Sequence, residues 1–132
     1  MAAIPDGFMD LITEKKALAN IATVMSDGSP QVTPVWFDYQ DGKLRVNTAK
    51  GRVKARTMTE GAKVALSIVD PDNDYRYIQL RGVVTKVTEQ GADAHIDTLA
   101  KKYLGKDSYP WRKAGEVRLL FEITPHAAQT MG

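Results

Sequence analysis

The chain has 132 residues, with 18 Lys and Arg against 16 Asp and Glu, which gives a formal net charge of +2. This length suits one domain over residues 1–132 that buries its own hydrophobic core, and the small net charge does not by itself favour a nucleic-acid binder. Because the chain has no cysteine, disulfides, thiolate metal sites and cysteine nucleophiles are excluded.

The secondary structure follows from hydrophobic periodicity and from turn residues. In chain order, we predict a helix over 8–16, strands over 17–25, 31–39 and 43–48, a short helix that begins near 53 and stops at 61, strands over 63–69 and 75–88, a helix over 92–104 and a last strand over 117–123. Asp6 is expected to cap the first helix. Residues 124–132 are expected to be a tail after the last strand.

Turn residues predict how the strands pair. Asp41-Gly42 is typical of a two-residue hairpin, and Gly82 inside the long strand indicates a bulge or bend. Pro34 has no N–H, so its strand should lie at an edge, a bulge or a rim of the sheet. Tight turns join most strands, so the sheet should be mainly antiparallel. With about six strands and few helices, both faces of the sheet can be shielded from water only if the sheet curls. The sequence therefore predicts a mainly β fold, a small barrel with helices at its ends.

The segment 43–63 concentrates the positive charge. It holds seven Lys and Arg residues and one acidic residue, so it carries +6 while the rest of the chain sums to −4. Its densest part is four cations within seven residues: Lys50, Arg52, Lys54 and Arg56. A loop that enters a helix near Val53 would direct free N–H groups the same way, which predicts an anion site, with phosphate as the favoured anion. An ordinary solvated helix face is the alternative.

Most active-site motifs are absent from the sequence. Neither G-x-S-x-G nor H-E-x-x-H nor a P-loop occurs. His95 is expected at the surface of the second long helix, and His126 has no nearby carboxylate or cysteine, so we expect no metal site. If the protein is an enzyme, a cofactor carries the reaction and the protein binds and orients it. No signal peptide or long apolar run is apparent, so we expect a cytoplasmic protein without a membrane span.

Three segments together resemble a known group of proteins: 19–48, 49–56 and 63–87. They are similar to the flavin/deazaflavin oxidoreductases of the pyridoxamine 5′-phosphate oxidase-like split β-barrel superfamily, above all to short members that use coenzyme F420. The resemblance covers residues 8–124. It implies a six-stranded antiparallel split β-barrel with short flanking helices. It also implies a homodimer whose two cofactor sites lie at the subunit interface.

The resemblance further implies which residues bind the cofactor. The ring is expected against the second and third strands, at Pro34, Val35, Trp36, Asn47, Thr48 and Ala49. The phosphate-binding loop corresponds to Lys50, Gly51, Arg52, Lys54 and Arg56. The partner subunit is expected to contribute from the start of the fifth strand, at Tyr75, Tyr77 and Ile78. Pyridoxamine phosphate oxidases carry a substrate-binding arginine near the C-terminus, and this chain has no arginine after Arg118, which speaks against that substrate.

The charge count bears on the choice of cofactor. An FMN phosphate needs about two cations, whereas F420 carries a phosphodiester and a tail of glutamate carboxylates. Four clustered cations, with Lys43 and Arg45 behind them, favour F420 over FMN.

Three functions follow. The first is an F420-dependent reductase that transfers a hydride to a small conjugated substrate such as an enone or quinone. No catalytic residue is identified, although Tyr77 and Tyr109 are candidate proton donors, and Trp111 could help to cover the site. The second is an FMN-dependent oxidoreductase of the same fold. The third is a non-enzymatic binder, either of the cofactor or of single-stranded nucleic acid. Trp36 and Phe37 point to opposite faces of their strand, which argues against a nucleic-acid stacking platform.

Overall fold

The computed structural model describes residues 4–132, and one antiparallel sheet organises them. Its strands are β1 (Ala19–Val24), β2 (Pro30–Val35), β3 (Phe37–Gln40), β4 (Lys43–Ala49), β5 (Lys63–Asp70), β6 (Asn73–Thr88) and β7 (Arg118–Met131). The strand order across the sheet is β2-β1-β5-β6-β7-β4-β3. The two edge strands, β2 and β3, are separated in sequence only by Trp36. Both edges must therefore lie close together, so the sheet curls into the predicted split barrel.

The single strand predicted over 31–39 was wrong, because it is two strands. Val35 pairs with Ala19 of β1, whereas Phe37 pairs with Val46 of β4. The chain leaves one edge of the sheet and joins the other at Trp36, which raises the strand count from six to seven. Pro34 lies in an edge strand, as predicted, where its missing N–H breaks no ladder.

The last strand is much longer than the predicted 117–123. β7 continues to Met131, because the first half of the long β6 pairs with the segment expected to be a tail. Alternation of apolar residues fades after Pro125, so the pattern gave no strand signal there. The bulge predicted at Gly82 is confirmed by a register shift between Arg81 and Gly82. A Cβ atom at Gly82 would lie 2.6 Å from the Thr124 carbonyl oxygen, so this crossing excludes a side chain.

The helices are α1 (Met9–Thr13), α2 (Val53–Thr57) and α3 (Ala92–Leu104). A 3-10 turn over Asp6–Phe8 precedes α1, and the Asp6 side chain forms no capping hydrogen bond. The predicted cap was therefore wrong, because Asp6 lies inside the first turn rather than before it. α3 has its predicted bounds and ends at Gly105, whose φ of 71° suits glycine. Within residues 4–132, no helix is long and apolar enough to cross a membrane.

The hydrophobic core lies inside the curled sheet. Alternation places Leu44 and Val46 of β4 on the inner face beside Phe121 and Ile123 of β7, and all four are fully buried. Burying each such side chain stabilises the fold by about 1.5–3 kcal/mol. The opposite face of β4 and β7 presents Asn47 and Arg118. α3 packs on that face, and a cleft opens where the two strands end.

Candidate functional site

A cleft of about 190 Å³ lies where β2, β4, α2 and α3 meet. Its lining residues are Pro34, Val35, Trp36, Asn47, Thr48, Arg52, Lys54, Ile96, Leu99, Tyr109, Trp111 and Arg118. Seven of the cofactor-binding residues expected from the resemblance therefore surround one opening, and the candidate proton donor Tyr109 is there too. Their role in binding a cofactor stays a prediction.

The end of β4 brings two buried polar side chains to the cleft. Asn47 and Thr48 are 8% and 1% exposed, and strand alternation points them to opposite faces. The Thr48 hydroxyl is buried and has no hydrogen-bond partner among residues 4–132. An unpaired buried hydroxyl costs about 1–3 kcal/mol, so such a group calls for an explanation. Because Thr48 lies at the wall of a cleft, a bound ligand that pairs with the hydroxyl is one such explanation.

One wall of the cleft is aromatic. Trp36, the residue between the two edge strands, stacks on Tyr103 of α3 with ring centroids 5.3 Å apart and planes 4° from parallel. Tyr109 packs edge-on to Trp36, with its ring centroid 6.1 Å from the tryptophan ring. Trp111 contacts both Trp36 and Tyr109. The loop after α3 thus covers the cleft with aromatic side chains, which suits a flat, conjugated ligand.

Three cations lie along the cleft: Arg52, Lys54 and Arg118. The pKa of Lys54 is lowered by its burial first, and then by the positive charges of Arg52 and Arg118. These charges therefore repel one another at short range, and an anion among them would be stabilised. Lys54 and Arg52 form no ion pair within the described residues.

The basic cluster of the sequence divides into two parts. Lys50 and Arg56 are not in the cleft lining. Lys50 is exposed and has its Nζ 3.9 Å from a Glu89 carboxylate oxygen, and Arg56 donates to the Gly51 carbonyl oxygen. Lys54 and Arg56 are two residues apart in α2 and so lie about 200° apart around the helix axis, which points them to different sides. Two cations face the cleft and two face solvent beside it.

A chain of hydrogen bonds runs behind the cleft through His95, which was wrongly expected at the surface. His95 is only 3% exposed. Its Nε2–H donates to Asp38 at 3.0 Å, and its Nδ1 accepts from the Asn47 amide at 3.2 Å. The Asn47 oxygen in turn accepts from Nε of Arg118 at 2.8 Å. This arrangement corresponds to the imidazole tautomer with its proton on Nε2.

Asp38 ends this chain. Burial of its carboxylate would raise the pKa, but hydrogen bonds from His95 and Arg45 outweigh burial and hold the pKa of Asp38 below its usual range. Arg45 binds both carboxylate oxygens, at 2.9 and 2.6 Å. This series of hydrogen bonds therefore connects the ionised Asp38 near the edge of the sheet to the guanidinium of Arg118 at the cleft.

The remaining predicted site residues lie elsewhere. Ala49 ends β4 and is buried, and Gly51 lies in the following turn with a φ of 98°. On β6, Tyr75 is 79% exposed, Tyr77 is half-buried and Ile78 is fully buried in the core, and none of the three lines this cleft. They were expected to act on the site of a partner subunit, and that stays a prediction.

Sequence reasoning missed several lining residues. Ile96 and Leu99 belong to the apolar stripe of α3, which the sequence assigned to the core. Arg118 carried a signal that was not used, since it is a charged residue at the start of an apolar strand. A cation there must be paired or face a cleft. Within residues 4–132, no three His, Asp or Glu side chains gather as metal ligands.

Comparisons with known proteins address the fold and the family. Among solved structures, an F420 reductase is 30% identical over 96% of this chain and 98% of its own, with a TM-score of 0.81. HupZ of Group A Streptococcus is 18% identical, covering 97% of this chain and 94% of its own, with a TM-score of 0.68. The FAD and heme binding protein from Mycobacterium smegmatis is 18% identical, covering 98% and 71%, with a TM-score of 0.70. These last two establish the fold alone.

A comparison with curated protein sequences finds no significant match. The family model for pyridoxamine 5′-phosphate oxidase, however, matches residues 6–132, nearly the whole chain. The resemblance expected from the three sequence segments is thus confirmed, and the chain belongs to the pyridoxamine 5′-phosphate oxidase family, with its split-barrel oxidoreductase fold.

Proposed function

We propose that this protein is an oxidoreductase that binds the deazaflavin cofactor F420 in the cleft and transfers a hydride to a small conjugated substrate such as an enone or quinone. One observation carries the proposal: an aromatic wall, three cations and an unpaired buried hydroxyl meet at a single opening. The similarity to an F420 reductase over almost the full length of both chains supports it.

The residues suit the parts of such a cofactor. Trp36 and Tyr109 offer flat apolar surfaces for a ring, and Thr48 offers a hydroxyl that has no partner in the described part of the chain. Arg52 and Lys54 face the cleft and suit the phosphodiester. Beyond them, the exposed side chains of Lys50 and Arg56 would meet carboxylates of an acidic tail outside the cleft. FMN has no such tail and would leave these outer cations without a ligand.

The chemistry of the reaction belongs to the cofactor, since reduced F420 supplies a hydride from its ring. The Thr48 hydroxyl and the aromatic wall would hold the ring in a fixed orientation, while Asn47 holds Arg118. The loop with Tyr109 and Trp111 excludes water from the reacting face. Of the two candidate proton donors, Tyr109 lines the cleft within the same chain and is the better placed.

We also propose a homodimer that completes the site. A cleft of about 190 Å³ is smaller than the roughly 300–1,000 Å³ of common ligand pockets. A second subunit that supplies Tyr75 and Tyr77 would add the missing wall. The cytoplasmic location expected from the sequence belongs to the same proposal.

A titration of the purified protein with F420 and, separately, with FMN tests the cofactor. We expect tighter binding of F420, and a loss of about ten- to a hundredfold in affinity in Arg52→Ala and Lys54→Ala, because each removes a charged hydrogen bond. Lys86→Gln removes one positive charge from exposed β6 and serves as the control. Turnover is followed as the oxidation of reduced F420 by a quinone.

Tighter binding of FMN than of F420 would favour the flavin-dependent alternative. Tight F420 binding without turnover on any enone or quinone would favour a non-enzymatic carrier of the cofactor. No binding of either compound would overturn the oxidoreductase proposal and leave only the fold and the family.

A further inference from the structure

Arg118 is a buried guanidinium at the wall of the cleft. Its side chain is only 4% exposed, yet it lines the opening. Nε donates to Asn47 at 2.8 Å and Nη1 donates to Glu116 at 3.1 Å. No hydrogen bond of Nη2 is found within residues 4–132. One face of the guanidinium lies 5.3 Å from the ring centre of Tyr109. The Nη2 donor of this guanidinium is therefore available to bind a ligand.

Hydrogen bonds on the side away from the cleft hold the Arg118 side chain in place. Asn47 donates to both His95 and the Ala92 carbonyl oxygen, so its own oxygen can point only toward Arg118. His95 is in turn held by Asp38. A guanidinium held in this way loses little conformational entropy when it binds a ligand. Such pre-organisation is typical of a recognition residue rather than of a solvated surface arginine.

The charges around Arg118 do not balance. Glu116 is the carboxylate paired with it, at 3.1 Å. Arg52 and Lys54 line the same cleft. Three cations thus face one carboxylate, and the lowered pKa of Lys54 has the crowding of Arg52 and Arg118 among its causes. A negatively charged oxygen of a ligand would offset this repulsion.

We propose that Arg118 is the specificity-determining residue of the cleft, and that it selects a planar conjugated ligand carrying a carboxylate or another negatively charged oxygen. The neighbouring aromatic wall of Trp36, Tyr109 and Trp111 provides the selection for a planar group. The inference deepens the proposed function, on which it rests. The charged oxygen can come from the cofactor ring itself or from the substrate, and the experiment separates these two sources.

The test compares a carboxylate with its neutral amide. Full-length protein is titrated with 2-naphthoate and with 2-naphthamide, in the absence and presence of saturating F420. Binding is followed by NMR through the two tryptophan indole N–H signals. The chain has two tryptophans, and both line the cleft. The ratio of the two affinities measures anion selection separately from aromatic packing.

Two variants make the comparison decisive. Glu116→Gln keeps an acceptor for Nη1 but removes the competing negative charge, so we expect the carboxylate preference to rise about tenfold. The double variant Glu116→Gln with Arg118→Gln removes both members of the ion pair and leaves no unpaired buried charge. In this double variant we expect the carboxylate preference to fall about tenfold or more below its value in Glu116→Gln, and what remains is due to Arg52 and Lys54. Lys86→Gln removes one exposed cation that does not line the cleft and is expected to keep the wild-type ratio.

Two outcomes support the proposal and name the source. A carboxylate preference that disappears when F420 is bound assigns Arg118 to the cofactor, and one that persists assigns it to the substrate. Equal affinities for naphthoate and naphthamide in wild type and in Glu116→Gln, together with unchanged F420 affinity in the double variant, would overturn it. That last outcome leaves F420 binding by the wild-type protein intact, so the proposed function can survive the failure of this inference.

Discussion

At the scale of a residue, Thr48 carries the clearest conflict between stability and binding. Its buried hydroxyl has no hydrogen-bond partner among residues 4–132, so Thr48→Val should remove an unfavourable buried polar group. We expect the free energy of unfolding to rise by about 1 kcal/mol. Affinity for F420 should fall in the same variant if the hydroxyl is kept for the cofactor. Urea unfolding and the cofactor titration measure the two effects.

Thr23→Val is the matched control for this substitution. Thr23 is 2% exposed, like Thr48, but its hydroxyl is hydrogen bonded to Thr57 at 3.0 Å. Its replacement should therefore lower stability and leave cofactor affinity nearly unchanged. If Thr48→Val destabilised the protein as much as Thr23→Val does, the hydroxyl of Thr48 would have a structural partner after all.

At the scale of the elements, a group of ion pairs fastens α1 and the residues after it to the turn between β5 and β6. Asp70 accepts hydrogen bonds from Lys15 and Arg76, each at 2.8 Å, and Arg76 also binds Asp10 of α1. These contacts lower the pKa of Asp70 to about 2. The hydrogen bond from Lys15 has the largest effect, and the hydrogen bond from the backbone N–H of Asp72 comes next. An unfolded chain would bind a proton near pH 4 instead.

This difference in pKa predicts acid sensitivity. Because the folded pKa is the lower one, the contribution of Asp70 to stability is present above about pH 4. It is lost as the pH falls toward about 2. Asp70→Asn should be less stable than wild type at neutral pH and should lose less stability between those pH values. Urea unfolding at several pH values measures this. Asp74→Asn, at an exposed position near the start of β6, should keep the wild-type slope, and equal slopes in all three proteins would contradict the prediction.

At the scale of the whole molecule, an apolar groove lies across β1, the start of β5 and the middle of β6. Its volume is about 380 Å³, and its lining includes Ala22, Val24 and Pro30 together with the basic residues Lys63 and Arg81. Val24 is 56% exposed, and Val32 nearby in β2 is 65% exposed. A patch of this kind suits a symmetric subunit contact. This groove supports the proposed homodimer.

Sedimentation equilibrium tests that assembly. We expect twice the mass of one chain for the wild type, and a monomer for Val24→Lys, since a cation in the contact would lose its hydration and be repelled by Lys63 and Arg81 of the groove. Leu104→Lys, a comparable change at the end of α3 that is not in the groove, should stay dimeric. A wild-type monomer at the concentrations used for cofactor binding would contradict the homodimer.

Much of the fold followed from the sequence because its determinants are local. Alternating apolar residues predicted the strands, and an apolar stripe predicted α3. The Asp41-Gly42 hairpin has positive φ at both residues, 55° and 78°, as its turn type requires. The adjacency of Pro34, Val35 and Trp36 to Asn47 and Thr48 was expected from family resemblance rather than from any such pattern.

The tertiary structure alone decided where the chain changes partners and which charges face inward. The break at Trp36 depends on strands that pair across the barrel, and the β7 extension depends on the unpaired half of β6. His95 reads as a surface residue on its own helix, and becomes buried only because Asp38 and Asn47 come from distant strands to bind it. Local patterns report the face of an element, whereas a buried polar group is satisfied by partners that only the complete fold brings near.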